Sequence, residues 1–286
     1  MLLEDLKARA MLVRRPHIRF GPVTLELEVP TSCGYLFGRR WLEDKGAASL
    51  RFACRVSLDE PQPSVVFSRF DANGYCARAP WATVELDRTT GQGAITFHAP
   101  AELPEGQYTA TAAIEGVLAA GLAEVLVRGG LALHAMTLQV GGRAWVVAGH
   151  SGAGKTTLAR RFPGVASHDE VAYLVPTPDG WTAWHHAEWR GLPGDHASVL
   201  PLGGLFVLLP DERSCTQVVR APAGERAALV LARAYHAGGA ATAWLLDAAA
   251  ALGRDVPVGL LSHSLDDPPA AVVQALASYS ELQECA

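Results

Sequence analysis

The chain has 286 residues, of which 49% are hydrophobic and 19% charged, enough for one large domain or two of ordinary size. Its formal net charge is -5, and no run of basic residues exceeds two, which argues against general binding to nucleic acid. No stretch reaches the roughly eighteen uninterrupted apolar residues of a membrane helix. The five cysteines are odd in number and lack a C-x-x-C pair, so neither a disulfide framework nor a structural zinc site is expected. The first residues carry charge from Glu4 onward, without an apolar signal core, and the expected setting is cytoplasmic with reduced thiols.

In chain order, residues 1–13 suggest a short amphipathic helix, with Leu2, Leu6, Met11 and Val13 near one side. From Arg19 to about Ala110, short runs of β-formers alternate with turn residues. Val23–Val29, Leu50–Leu58, Val65–Phe67, Ala82–Leu86 and Ala94–His98 read as strands, punctuated by Asn73-Gly74 and Thr90–Gly93. A twisted, largely antiparallel domain is expected. Asp71, Asp87 and His98 read as solvated polar residues beside turns. Ile114–Val127 is Ala-rich, reads as a helix, and stops at Gly129-Gly130. The expected boundary falls there, giving a mainly β N-terminal domain over 1–128 and a second domain over 129–286.

In the second domain, Leu131–Val140 and Arg143–Ala148 read as strands joined by the Gly141-Gly142 turn. A helix follows, opening at Thr157-Leu158. Pro163–Leu174 reads as a strand carrying Asp169-Glu170 where it meets a turn, and Val175–Gly180 as another turn. Leu205–Leu209 and Val256–Leu261 read as strands. Ala223–Tyr235, Ala240–Leu252 and Pro268–Leu282 read as helices, the last with Ala271, Val272, Ala275 and Leu276 inward.

Gly149-His150-Ser151-Gly152-Ala153-Gly154-Lys155-Thr156-Thr157 has the G-x-x-x-x-G-K-[ST] spacing of a phosphate-binding loop. Glycines let the backbone curl with its N–H groups inward as a concave anion site. Lys155 is placed to reach the outer phosphates of a nucleotide, and the Thr156 hydroxyl to join the shell of a Mg²⁺ ion. Strand, glycine loop and helix follow in the required order, with the helix dipole adding to the site. Lys7, Lys45 and Lys155 are the only lysines in an arginine-rich chain, which suits a specific need for a compact ammonium at the loop. Arg160 and Arg161 are expected to face water.

A phosphate loop needs a carboxylate at the end of a neighbouring strand, to hold Mg²⁺ or to take the proton of an attacking hydroxyl. Asp169-Glu170 and Asp211-Glu212 both qualify, and Asp169-Glu170 is preferred. His185, His186 and His196 lack the spacing of a metal-ligand set. Trp181, Trp184 and Trp189 read as packing residues.

Leu133-His134-Ala135, the Gly149–Thr156 loop and Ser167-His168-Asp169-Glu170-Val171 together resemble the catalytic domain of HPr kinase/phosphorylase and its stand-alone relatives. The resemblance covers about 129–286 and is strongest over 131–174. It implies an α/β P-loop kinase domain of HPr kinase/PEP carboxykinase type. It implies that Gly149–Thr157 hold the nucleotide phosphates, that Asp169 is the general base for a substrate serine, and that Glu170 or Thr156 holds Mg²⁺. It also implies a place for His134 near the transferred phosphate or Asp169. Glu188-Trp189-Arg190-Gly191-Leu192 is similar to a signature of the bifunctional enzymes as far as Pro193. The acidic pair is Asp-Glu rather than Asp-Asp, and no lysine follows Lys155. These departures bear on the HPr substrate and the phosphorylase activity more than on kinase chemistry.

The expected activity is transfer of the γ-phosphoryl group of ATP to a serine or threonine of a protein or peptide. A small-molecule kinase on the same core, or a nucleotide-binding regulatory or assembly protein, are the other readings. A homo-oligomer is compatible with either.

Overall fold

The computed structural model describes residues 13–14, 17–20, 23–30, 50–57, 66–80, 82–98, 105–150, 152–163, 166–167, 171–184, 199–209, 215–235, 237–264 and 266–284. The expected helix over 1–13 lies outside them, apart from Val13. The chain divides into two compact units, Met1–Val127 with His236–Ala243, and Arg128–Tyr235 with Trp244–Ala286.

The first unit begins with β1 (Val13–Arg14), β2 (His17–Phe20), β3 (Val23–Pro30), β4 (Leu50–Ser57), β5 (Val66–Asp71), β6 (Gly74–Ala79), β7 (Ala82–Asp87) and β8 (Gln92–His98), followed by α1 (Glu105–Val127). Alternation explains the strands. In β7, Ala82, Val84 and Leu86 are buried while Glu85 and Asp87 face out, the period-two pattern of a half-buried sheet. Asp71 accepts the N–H groups of Asn73 and Gly74, and Asp87 those of Thr89 and Thr90, so both carboxylates cap turns as expected. The sheet is more mixed than its punctuation predicted: β3–β4, β4–β8 and β5–β17 (Gly238–Gly239) are parallel pairs. The last of these brings a short return segment from far along the chain, which no local pattern announces.

Three further differences stand out in this unit. The helix begins at Glu105, earlier than its Ala-rich stretch suggests. His98 is buried rather than solvated, its Nε2 lying 2.7 Å from the Thr83 hydroxyl across β7–β8, a polar partner that replaces water. Glu124 is also buried, at 2% exposure, and pairs with Arg88 at 3.5 Å.

The second unit contains β9 (Leu131–Leu133), β10 (Ala135–Val140), β11 (Arg143–Ala148), α2 (Lys155–Arg160), β12 (Ala166–Ser167), β13 (Ala172–Thr177), β14 (Gly180–Trp184), β15 (Val199–Leu208), β16 (Gln217–Arg220), α3 (Arg226–Leu231), α4 (Thr242–Asp255, whose first two residues belong to the other unit), β18 (Val258–Ser262) and α5 (Pro269–Glu284). The expected strand over 131–140 is split by a bend at His134. The expected turn at 175–180 is narrower, because β13 runs to Thr177 and pairs with β14 across a hairpin. Ala223–Tyr235 holds only a short helix, and its last residues leave the helix to bridge β9.

β15 joins the two halves of this sheet. Its start pairs antiparallel with β14, and its remainder lies parallel between β11 and β18. β11, β15 and β18 are therefore parallel neighbours ending at one edge, with Ala148 level with Val207 and Leu208 level with Leu261. β12, antiparallel to β10, runs the same way as β11. The core beneath the edge combines Trp145, Val147, Phe206, Leu208 and Leu261 with Leu158, Ala159 and Phe162 of the α2 segment and Val272, Leu276 and Tyr279 of α5. Spacing of three and four residues puts those α5 side chains on one stripe, and the Tyr279 hydroxyl donates to the Val258 carbonyl at 2.8 Å. Among the described residues, no helix is long and apolar enough to cross a membrane.

Candidate phosphate-loop site

β11 delivers the loop. Only Arg143 at its start is exposed, and Ala144–Ala148 are buried between β10 and β15, which fixes where the chain emerges. The Ala153 N–H donates to the His150 carbonyl at 3.1 Å, closing a turn. Gly152 and Gly154 then adopt φ of 81° and 95°, a left-handed backbone that an L side chain resists. Gly154 is the N-cap of α2 and brings no side chain to occupy the amides of the first turn. The helix is expected from Thr157 but begins at Lys155, and the Leu158 N–H donates to the Gly154 carbonyl at 2.8 Å. Ser151 lies outside the described residues.

Lys155 is 5% exposed, and among the described residues no other lysine or arginine is buried. Its Nζ donates to the Gly149 carbonyl at 2.8 Å and to the His150 carbonyl at 3.1 Å. Burying an ammonium is costly unless hydrogen bonds compensate it. Here the loop's own carbonyls hold the charge inside the curl of the backbone. Thr156 and Thr157 are exposed on the same turn, Ala153 and Gly154 are half-buried, and His150 is exposed.

The helix that follows is tied down at both levels. Leu158, Ala159 and Phe162 anchor it in the core. Arg161, expected to face water, is half-buried instead and donates to His263 Nε2 at 2.8 Å, to the Ser264 carbonyl at 3.3 Å and to the Asp267 carbonyl. A guanidinium only donates, so His263 Nε2 is the acceptor in this contact, and its Nδ1 lies 3.1 Å from the Thr216 hydroxyl. The Thr216 N–H donates to Asp267, and these Thr216 contacts, the side-chain one first, hold the Asp267 carboxyl below its ordinary range. This network joins the end of α2 to the loop after β18 and the start of β16. More than a hundred residues separate Arg161 from its partners, so no sequence signal reveals it.

His134 lies at the bend between β9 and β10, one residue before Ala135, which pairs with Ala148 at the loop's root. Its ring stacks on Tyr235, 6.2 Å between centroids with planes 5° apart, and its N–H donates to the Arg233 carbonyl at 3.0 Å. His134 and the loop therefore emerge from adjacent strands at one edge.

Asp169 and Glu170 lie outside the described residues, as do the alternative pair Asp211-Glu212, the histidines at 185, 186 and 196, Trp189 and the segment 188–192. Trp181 and Trp184 are buried, in keeping with packing roles. Both carboxylate pairs follow strands that run toward the loop's edge, β12 ending at Ser167 and β15 at Leu208. Open sheets bind ligands beyond such strand ends. Among the described residues, no group of three or more His, Cys, Asp or Glu is placed to hold a metal ion. A Mg²⁺ ion held mainly by nucleotide phosphates needs only one or two protein oxygens, and the exposed Thr156 hydroxyl fits that modest donor set.

Compared with known proteins, the chain matches no protein-family model and no curated protein.

Proposed function

We propose that the chain is an ATP-dependent phosphotransferase, acting in the cytoplasm, that moves the γ-phosphoryl group to a serine or threonine hydroxyl of a protein or peptide. The observation that carries this reading is the buried Lys155 ammonium, held by loop carbonyls inside a glycine curl at the end of a central strand. The resemblance of 131–174 to HPr kinase/phosphorylase supports the α/β P-loop kinase core and selects a hydroxyl acceptor over water. The free thiols of Cys76 and Cys215 support a reducing compartment.

In this reading the Gly149–Thr157 backbone binds the phosphates, and Lys155 turns its ammonium from the Gly149 and His150 carbonyls to the outer phosphate oxygens. Mg²⁺, when bound through Thr156 and Glu170, neutralises charge on the phosphates. Asp169 accepts the acceptor hydroxyl proton and aligns that oxygen with the leaving group. The β11 and α2 packing and the Arg161 network keep the loop rigid, so positioning and electrostatics supply most of the rate.

Incubation of the protein with γ-labelled ATP, Mg²⁺ and a cell extract tests this. A labelled protein band that disappears with Asp169→Asn, while ATP still binds, is the expected result. Label on a small metabolite transfers the reading to a small-molecule kinase, and loss of ATP to free phosphate alone removes the kinase assignment.

A further inference from the structure

Arg233 lies opposite His134, whose next residue pairs at the root of the loop, and it has no role in anything described above. Leu133 bridges Ala234 in antiparallel register, with His134 N–H on the Arg233 carbonyl and Tyr235 N–H on the Ala132 carbonyl. In such a ladder His134, Arg233 and Tyr235 share one face. The stacking of His134 on Tyr235 agrees with that placement. The face belongs to the strand edge that meets the phosphate loop, since the residue after His134 pairs with Ala148.

The Arg233 guanidinium is incompletely satisfied. Its Nη1 reaches only the neighbouring Ala232 carbonyl at 3.1 Å, and its Nε is buried without a hydrogen-bond partner. Among the described residues, no carboxylate pairs with it. An arginine cannot escape this position by losing its proton, and a buried donor left unmade is costly. Arginine's planar fork suits phosphate oxygens, which accept two of its N–H groups at once.

We propose that Arg233 binds the outermost phosphate of the nucleotide held by the Gly149–Thr156 loop. The inference rests on the nucleotide reading of the Gly149–Thr156 loop. The loop amides enclose the inner phosphates and Lys155 reaches the outer ones from the loop side, which leaves the far side of the outermost phosphate to a residue from another strand. His134 and Tyr235 are positioning residues here: their stack, with the backbone ladder, fixes the segment that carries the guanidinium.

Calorimetric titration with Mg-ATP and Mg-ADP separates the possibilities. Arg233→Met should weaken ATP binding about tenfold or more and leave ADP binding within about twofold, in a protein whose melting profile is retained. If Arg233→Met does not fold, Arg233→Lys keeps the charge and the stem but lacks Nε and the fork, and the same selective loss of ATP is expected. Unchanged ATP affinity in the folded variant overturns the assignment of Arg233 alone. Equal loss of ATP and ADP overturns the outer-phosphate contact. A wild-type chain that binds neither nucleotide overturns the loop reading, and this inference with it.

Discussion

Replacing Lys155 by methionine separates a phosphate ligand from a structural residue, because the two roles predict different balances of stability and binding. The side chain is 5% exposed, and its ammonium donates at 2.8 Å and 3.1 Å to two loop carbonyls. Hydrogen bonds from a charged group are worth roughly 1.5–3 kcal/mol each, so the pair contributes about 3–6 kcal/mol. Desolvating the ammonium costs several kcal/mol in the opposite sense. The two nearly offset, and methionine keeps most of the volume. The net change in stability is expected within about 2 kcal/mol of zero, a shift in melting temperature of no more than about 8 °C for a domain of this size. In binding the ammonium exchanges those carbonyls for charged phosphate oxygens, and the surplus is lost with it. Loss of the ammonium from the phosphates removes about 3–4 kcal/mol, which weakens Mg-ATP by roughly 100- to 1,000-fold. Calorimetric titration and thermal melting of the same preparations give both quantities. ATP affinity within twofold of wild type refutes the assignment, and a collapse of the fold on substitution makes Lys155 a structural residue instead.

Gly154→Ala tests the loop's shape: no atom lies within 4 Å of the added Cβ, so only the φ of 95° opposes it. A loss of about 1–2 kcal/mol in a urea melt is expected, with weakened ATP binding. Arg88→Met removes the ion pair to the buried Glu124; because Arg88 keeps 24% side-chain exposure, a loss of no more than about 2 kcal/mol is expected rather than the larger cost of a fully buried pair. Asp267 has its pKa lowered from an ordinary 3.8, mainly by Thr216, so its stabilising contribution is present above about pH 4 and is lost as pH falls through the lowered value. Asp267→Asn should therefore reduce stability at neutral pH and flatten the acid limb of a stability–pH curve.

Local chemistry was legible and long-range chemistry was not. The Gly149–Thr156 spacing and the buried run before it sufficed to place the loop at a strand end, because glycine positions and hydrophobic runs are local signals. The strands 82–86 and 94–98 were legible for the same reason, through period-two alternation. Arg161 was misread because a helix position carries no sign of His263 and Asp267 waiting a hundred residues away. His98 was misread because burial at a strand end depends on what covers the sheet. The bend at His134 and the bridging of Leu133 by Ala234 arise from pairing with a distant segment, which an apolar run cannot encode.

The central claim is that the γ-phosphoryl group of ATP reaches a serine or threonine hydroxyl. Mass spectrometry of the acceptor labelled from γ-labelled ATP, with α-labelled ATP run alongside, tests it most directly. The expected result is a phosphoserine or phosphothreonine in a protein or peptide, labelled from the γ position alone and absent with Asp169→Asn. Release of labelled phosphate to water with no labelled acceptor would contradict it.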